Sequence, residues 1–204
     1  CPEGSALRRQ QMRMLELLEA VDGVCKRHSI PYWLSSGTLL GAARHHGFIP
    51  WDDDLDIEML REDYLRLVKV LPGELPGRFA LQTHETDPNY IFTYGKLRDK
   101  DSYLAEPNRY DRDWKYRGIY IDIFVLERIP LPLAWVAGHM QGQIYNQLNS
   151  KTLSENCISR RVQRIFRFNE HIGFPILRFL SRLVPGTPLR HTFGTPYFKP
   201  RYAR

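Results

Sequence analysis

The chain has 204 residues, a length that suits one domain with a sizeable hydrophobic core. Its 43% hydrophobic, 25% charged and 12% aromatic residues exclude a disordered protein, and three scattered cysteines without a CxxC pair exclude the common zinc and disulfide frameworks. The net charge of +6 is uneven, because residues 158–204 hold ten Lys/Arg and one acid.

Apolar residues spaced three and four apart predict a first helix over residues 6–28, with Ser5 as its N-cap. A helical turn is expected over residues 38–44, after Gly37, and helices over 61–71 and 133–153. Two basic amphipathic helices are expected within 160–184, divided near Gly173 and Pro175. Alternating or β-branched runs predict strands over residues 30–35, 54–60, 79–82, 91–97 and 117–129.

This mixture of strands and helices predicts an α/β (α+β) fold, a small mixed sheet backed by helices. We expect a single domain over residues 1–204, with a core over about 10–126 and a basic helical part over about 131–204. The longest apolar run, residues 129–138, contains two prolines and is too short to span a bilayer. No signal peptide is visible, although the chain begins at Cys1 and not at Met. The expected location is cytoplasmic, with contact at the inner face of the cell membrane left open.

Four aspartates crowd the start of the strand predicted over residues 54–60. On a strand, Asp54 and Asp56 point to one face, where they repel each other unless a cation lies between them. A third acid, Asp122, interrupts the apolar run "IYIDIF". If the two strands are neighbours, the three carboxylates form the all-oxygen site that Mg²⁺ or Mn²⁺ prefers, which suits phosphoryl transfer.

A Gly-Thr step precedes these acids. Gly37 allows the backbone to approach a phosphate closely, and Thr38 offers a hydroxyl and N–H groups where a helix begins. The simpler interpretations are a helix cap for this pair and a solvated acidic edge for the aspartates.

The stretch "GTLLGAARHHGFIPWDDDLDI" resembles the signature of the LicD family, which includes fukutin-type enzymes and is related to the nucleotidyltransferase fold. "YGKLRDKDS" and "IYIDIFVLERIP" resemble two later strands of that family, although Val125 stands where proline is usual. "FGTPYFKPRYAR" loosely resembles its C-terminal segment. The resemblance covers residues 10–126 well and the remainder poorly.

The resemblance implies a metal-dependent transferase that moves phosphocholine or an alditol phosphate from a CDP-linked donor to a hydroxyl of a cell-surface glycan, free or lipid-linked. It implies Mg²⁺ or Mn²⁺ bound by Asp54, Asp56 and Asp122, with Asp122 a ligand or the general base, and Asp52 supporting the ligands without direct contact. The implied donor-phosphate residues are Gly37, Thr38, Arg44, Lys96 and Arg98.

Several alternatives remain open at this point. Lys96 and Arg98 also fit surface charges paired with nearby aspartates, Glu58 a surface acid and Asp53 a structural residue. The whole chain also fits a nucleotidyltransferase that releases pyrophosphate, or a non-catalytic glycan- or metal-binding protein. The basic C-terminal stripe fits either a core-facing helix or peripheral membrane contact, and no nucleic-acid partner is expected.

Overall fold

The computed structural model describes residues 2–104, 111–148, 160–186 and 189–190. Its helices are α1 (Ala6–His28), α2 (Ser36–His45), α3 (Arg61–Glu74), α4 (Leu131–Leu148), α5 (Arg160–Phe168) and α6 (Phe174–Arg182), the last two joined by a π-helical turn, Asn169–Gly173. Its strands are β1 (Trp33–Leu34), β2 (Asp56–Leu60), β3 (Phe79–Gln82), β4 (Gly95–Asp99), β5 (Tyr120–Arg128) and β6 (Leu189–Arg190).

The strands form a mixed sheet in the order β1-β2-β5-β4-β3. Strands β2 and β5, the neighbours that lie furthest apart in the sequence, run parallel. The other adjacent pairs are antiparallel. Strand β6 pairs with the far end of β5, at Glu127 and Arg128. The α/β prediction is therefore confirmed.

One face of this sheet is covered by α1 and α3. Burial alternates along strand β5. Ile121, Ile123 and Val125 are buried in the core together with residues of those helices. Residues of the intervening positions, among them Asp122 and Phe124, therefore point to the opposite face. The charged residues considered below lie on that second face.

The first helix follows its prediction closely. The Ser5 side chain accepts a hydrogen bond from the Arg8 backbone N–H at 3.2 Å, and the helix ends at Ser29, which adopts a left-handed φ of 51°. The Ser5 side chain thereby satisfies one of the N–H groups of the first turn that have no partner within the helix. The buried residues of α1 pack in the core against one face of the sheet.

Strands β1, β2, β4 and β5 all begin later than predicted, and the reason is clear for β2 and β4. Strand β2 begins at Asp56, because residues 52–54 belong to an exposed loop, so Asp54 precedes the strand. Strand β4 begins at Gly95, because the preceding aromatic residues leave the sheet and pack with Trp114 instead. In that cluster Tyr90 lies 5.2 Å from the Trp114 ring centroid, and the Tyr94 ring lies 4.8 Å from that of Phe124.

The C-terminal helices differ from prediction at their junction. The predicted division near Gly173 coincides with the start of α6, but a π-helical turn continues the helix there. Helix α4 was expected to reach residue 153, and residues 149–153 lie outside the described part, as does the segment 193–204 that resembles the family's C-terminus. Across the described residues, every helix falls short of the length and apolar character needed to cross a membrane.

Candidate active site

The structure brings two of the predicted carboxylates side by side. Asp56 of β2 and Asp122 of β5 are register partners on parallel strands. The Asp122 backbone N–H donates to the Leu55 carbonyl at 3.0 Å, which fixes this register. On its other side Asp122 is paired in register with Lys96 of β4. Three charged side chains thus lie at one level across three adjacent strands.

Lys96 is the counter-ion of Asp122. Its ammonium group forms an ion pair with the Asp122 carboxylate and is almost fully buried. The same nitrogen lies 3.5 Å from the centroid of the Tyr120 ring and 5.5 Å from that of Tyr94. Aromatic faces attract a cation that has lost water, so this pocket holds Lys96 beside the carboxylates.

Among the described residues, the cations do not fully compensate the remaining acidic charge. Burial raises the pKa of Asp56 to about 8, helped by the negative charges of Asp122 and Asp54, although Lys96 opposes the rise. Loss of hydration also raises the pKa of Asp54 to about 6, with Asp52 as the next cause. Ionised carboxylates crowded in this way favour a bound cation.

Helix α2 positions the start of β2. The Thr38 hydroxyl accepts a hydrogen bond from the Asp56 backbone N–H at 2.8 Å. A Cβ atom on Gly37 would lie 2.8 Å from the Asp52 carboxylate, so any larger residue here would displace that side chain. Ser36 adopts a φ of 48°, which is uncommon outside glycine and often marks functional sites.

A second acidic group lies in the loop before β2. Within the described part of the chain, Asp52, Asp53 and Asp54 form a set whose carboxylate oxygens come within 4.8 Å of one another. The loop is held by α1, because Gln11 donates to the Asp52 carbonyl at 2.9 Å and Gln10 to the Asp53 carbonyl at 2.7 Å. Asp54 therefore belongs to this loop group, and its negative charge also interacts with the carboxylates of Asp56 and Asp122.

Two predicted phosphate residues occupy very different environments. Arg98 is fully buried, donating to Gln82 at 2.8 Å and to the Gly118 carbonyl at 2.8 Å while lying 4.3 Å from the Tyr120 ring centroid. This geometry ties β4 to its surroundings and does not present the guanidinium group to a ligand. Arg44, by contrast, is exposed in the last turn of α2.

Sequence reasoning missed several residues at the site. It assigned Glu58 to the surface, yet this half-buried carboxylate accepts a 2.8 Å hydrogen bond from the Ser35 hydroxyl. Trp51 is 77% exposed directly beside the acidic loop. The buried Gln11 carried no sequence signal, because its loop contacts depend on how α1 packs. The pair of serines that precedes the Gly-Thr step was the available signal for Ser35.

The donor set fits a hard divalent cation. Asp56 and Asp122 are adjacent, Asp54 and Asp52 are close enough to raise the neighbouring pKa values, and all four offer only oxygen. Mg²⁺ and Mn²⁺ prefer such ligands, whereas zinc favours His and Cys. That Asp54, Asp56 and Asp122 hold the ion, with Asp52 supporting them, stays a prediction, because the described carboxylates that come within 4.8 Å of one another are those of Asp52, Asp53 and Asp54.

Comparison with known proteins finds a family and several relatives that match this chain. The family model described as "LicD/FKTN/FKRP, nucleotidyltransferase domain" matches residues 29–178. The lipopolysaccharide cholinephosphotransferase LicD of Haemophilus influenzae is 35% identical over 125 residues, 61% of this chain and 45% of that protein. Human ribitol 5-phosphate transferase FKRP is 48% identical over 48 residues, 24% of this chain and 10% of that protein. The chain therefore spans less than half the length of these relatives.

Proposed function

Because this chain belongs to the LicD/FKTN/FKRP family of nucleotidyltransferase domains, we propose that it is a metal-dependent phosphotransferase. It moves a phospho-alcohol group, such as phosphocholine or an alditol phosphate, from a CDP-linked donor to a hydroxyl of a cell-surface glycan. The observation that carries this proposal is the register pairing of Asp56 with Asp122 across parallel strands. The names of the relatives, a cholinephosphotransferase and ribitol-phosphate transferases, support the class of group transferred.

Three polar residues, Asp122, Thr38 and Lys96, have different roles in the proposed reaction. Asp122 accepts the proton of the attacking glycan hydroxyl, or orients that hydroxyl towards the donor phosphorus. The hydroxyl of Thr38 and the N–H groups that open α2 hold donor phosphate oxygens. Lys96 supplies positive charge beside Asp122 as negative charge develops on the transferred group. A bound Mg²⁺ or Mn²⁺ would neutralise phosphate oxygens of the donor.

The bonds exchanged define the product. The glycan oxygen forms a bond to the distal phosphorus of the CDP-linked donor, and the bond from that phosphorus to the bridging oxygen breaks. CMP leaves with the bridging oxygen, and the hydroxyl proton goes to a carboxylate or to water. A nucleotidyltransferase would instead direct attack to the α-phosphorus of a nucleoside triphosphate and release pyrophosphate.

Product analysis tests the proposal. The purified chain is incubated with CDP-choline, CDP-ribitol or CTP, with Mg²⁺, Mn²⁺ or EDTA, and with an extract of envelope glycan as acceptor. We expect CMP from at least one CDP-linked donor, dependent on the cation and increased by the acceptor. Pyrophosphate from CTP would favour the nucleotidyltransferase alternative, and cation binding without any turnover would favour a non-catalytic relative.

A further inference from the structure

An apolar surface that no other described residue covers runs along the C-terminal helices. Six residues spaced three and four apart, here called the apolar stripe, are each between 40% and 65% exposed: Phe168, Ile172, Ile176, Phe179, Leu180 and Leu183. That spacing places them on one side of the continuous helical segment formed by α5, the π-helical turn and α6. A run of exposed large apolar residues of this extent marks an interaction surface.

The opposite sides of the same helices are already packed. Val162 and Phe166 of α5 are buried with Ile91, and Phe174 and Leu177 of α6 are buried with residues of α4. The apolar stripe is therefore not needed for the core contacts that hold these helices. Of the two interpretations left open for these helices, a core-facing side describes this buried set, whereas the residues of the apolar stripe are exposed.

The charges around the apolar stripe indicate what it meets. Residues 160–186 contain six arginines and one acid, Glu170. The acid is partly buried, whereas five of the arginines are exposed: Arg160, Arg161, Arg164, Arg167 and Arg182. An amphipathic helix with apolar residues on one side and arginines beside them binds the interface of a membrane that contains anionic lipid.

Helix α4, which contacts α6, presents further apolar residues. Leu131 and Trp135 are 64% and 72% exposed, and the Trp135 ring stacks on His139 with centroids 5.9 Å apart. Tryptophan is enriched at membrane interfaces, where its ring lies among the headgroups. By comparison, a symmetric dimer through the apolar stripe would bring the same arginines of two copies together, which costs energy.

We propose that the apolar stripe and its flanking arginines dock the protein on an anionic lipid surface. The surface is connected to the reaction centre through β5, because Arg178 of α6 forms a two-bond ion pair with Glu127, at 2.8 and 3.1 Å. Glu127 lies five residues along that strand from Asp122, about 17 Å. Docking there keeps the reaction centre near acceptors carried on lipid. Membrane binding is measured without substrate, so its outcome is separate from that of the transferase proposal.

Vesicle sedimentation of the whole chain tests the proposal. We expect the protein to sediment with vesicles of phosphatidylethanolamine and phosphatidylglycerol, to remain in solution with phosphatidylcholine alone, and to dissociate at high salt. Changing Ile176→Asp together with Phe179→Asp is expected to lower the partition coefficient by at least about tenfold. Arg164→Glu with Arg167→Glu is expected to lower it by at least about fivefold for each arginine lost.

The matched control is Leu65→Asp together with Met12→Asp, which introduces the same two charges at apolar residues of α3 and α1 that are 51% and 42% exposed. This variant is expected to bind as the wild type does, and circular dichroism checks that every variant is folded. Absence of sedimentation, or equal binding by the Ile176/Phe179 variant, would overturn the proposal. So would a dimer in light scattering that this variant dissociates, because a second copy would then be the occupant.

Discussion

At the scale of single residues, the acidic side chains of the site outnumber the cations that contact them within the described part of the chain. Four acidic side chains interact near the start of β2, and Lys96 is the cation that contacts Asp122. The sequence predicted the acids and also Lys96, but it predicted Lys96 as a phosphate ligand. Its ion pair could not be foreseen, because it depends on the register between β4 and β5, which no local pattern specifies.

Removing this cation gives the first prediction. Lys96→Met leaves Asp122 without its counter-ion, so the metal-free protein is expected to lose about 3 kcal/mol of unfolding free energy. Added Mg²⁺ is expected to restore more stability to the variant than to the wild type, because a second cation replaces the missing charge. Urea unfolding with Mg²⁺ and with EDTA measures both effects.

The control for this change is Lys100→Met, at an exposed lysine just beyond the same strand. It is expected to unfold as the wild type does in either buffer. An unchanged stability of the Lys96 variant, or an equal response to Mg²⁺, would show that Lys96 is not the counter-ion of the acidic site.

Substitutions at two glycines of α2 are expected to affect turnover and stability differently. In Gly37→Ala the new methyl group meets the movable carboxylate of Asp52, so we expect reduced turnover and a change in stability below about 1 kcal/mol. In Gly41→Ala it would lie 2.6 Å from the backbone carbonyl of Gly47, which costs about 1 to 3 kcal/mol. Thermal unfolding and turnover of both variants measure the difference. The reverse pattern would contradict the role given to Asp52.

At the scale of secondary-structure elements, the sequence specified most segments but not all of their ends. Helix α1 and strand β3 have their predicted bounds, because capping and apolar spacing are local signals. Strand β4 was predicted to begin four residues too early, since the sequence could not show that Phe92 and Tyr94 pack in the aromatic cluster with Trp114 rather than enter the sheet. The burial of Arg98 between strand and aromatic rings was missed for the same reason.

The π-helical turn between α5 and α6 carries a pH dependence. Burial raises the pKa of Glu170 to about 7, against the opposing charges of Arg178 and Arg61. An acid with a raised pKa stabilises the folded state while it is protonated. That contribution is complete below pH 4.5, the ordinary value, and is lost as the pH rises through about 7.

Replacing this acid with a neutral side chain should remove the effect. Glu170→Gln is expected to be more stable than the wild type at pH 8, by on the order of 2 kcal/mol, and equal to it near pH 4. Thermal unfolding across this range compares it with Glu19→Gln, at an exposed acid of α1. If the two variants follow the same pH profile, Glu170 titrates as an ordinary exposed acid.

At the scale of the whole molecule, one sheet presents two different faces. One face packs on α1 and α3 and gives the protein its core, and the other carries the charged residues and their aromatic support. The resemblance to the LicD family implied that distant segments converge, and the parallel pairing of β2 with β5 places residues 56 and 122 together. Composition alone could not supply that pairing, because it joins strands more than sixty residues apart.

The central claim is that the carboxylates of Asp56 and Asp122 form the reaction centre. Its most direct measurement is the rate of CMP release from the preferred CDP-linked donor by Asp122→Asn, compared with Asp53→Asn in the exposed loop group. The account predicts a loss of several powers of ten for Asp122→Asn and a nearly unchanged rate for Asp53→Asn. A rate close to that of the wild type in Asp122→Asn would contradict it.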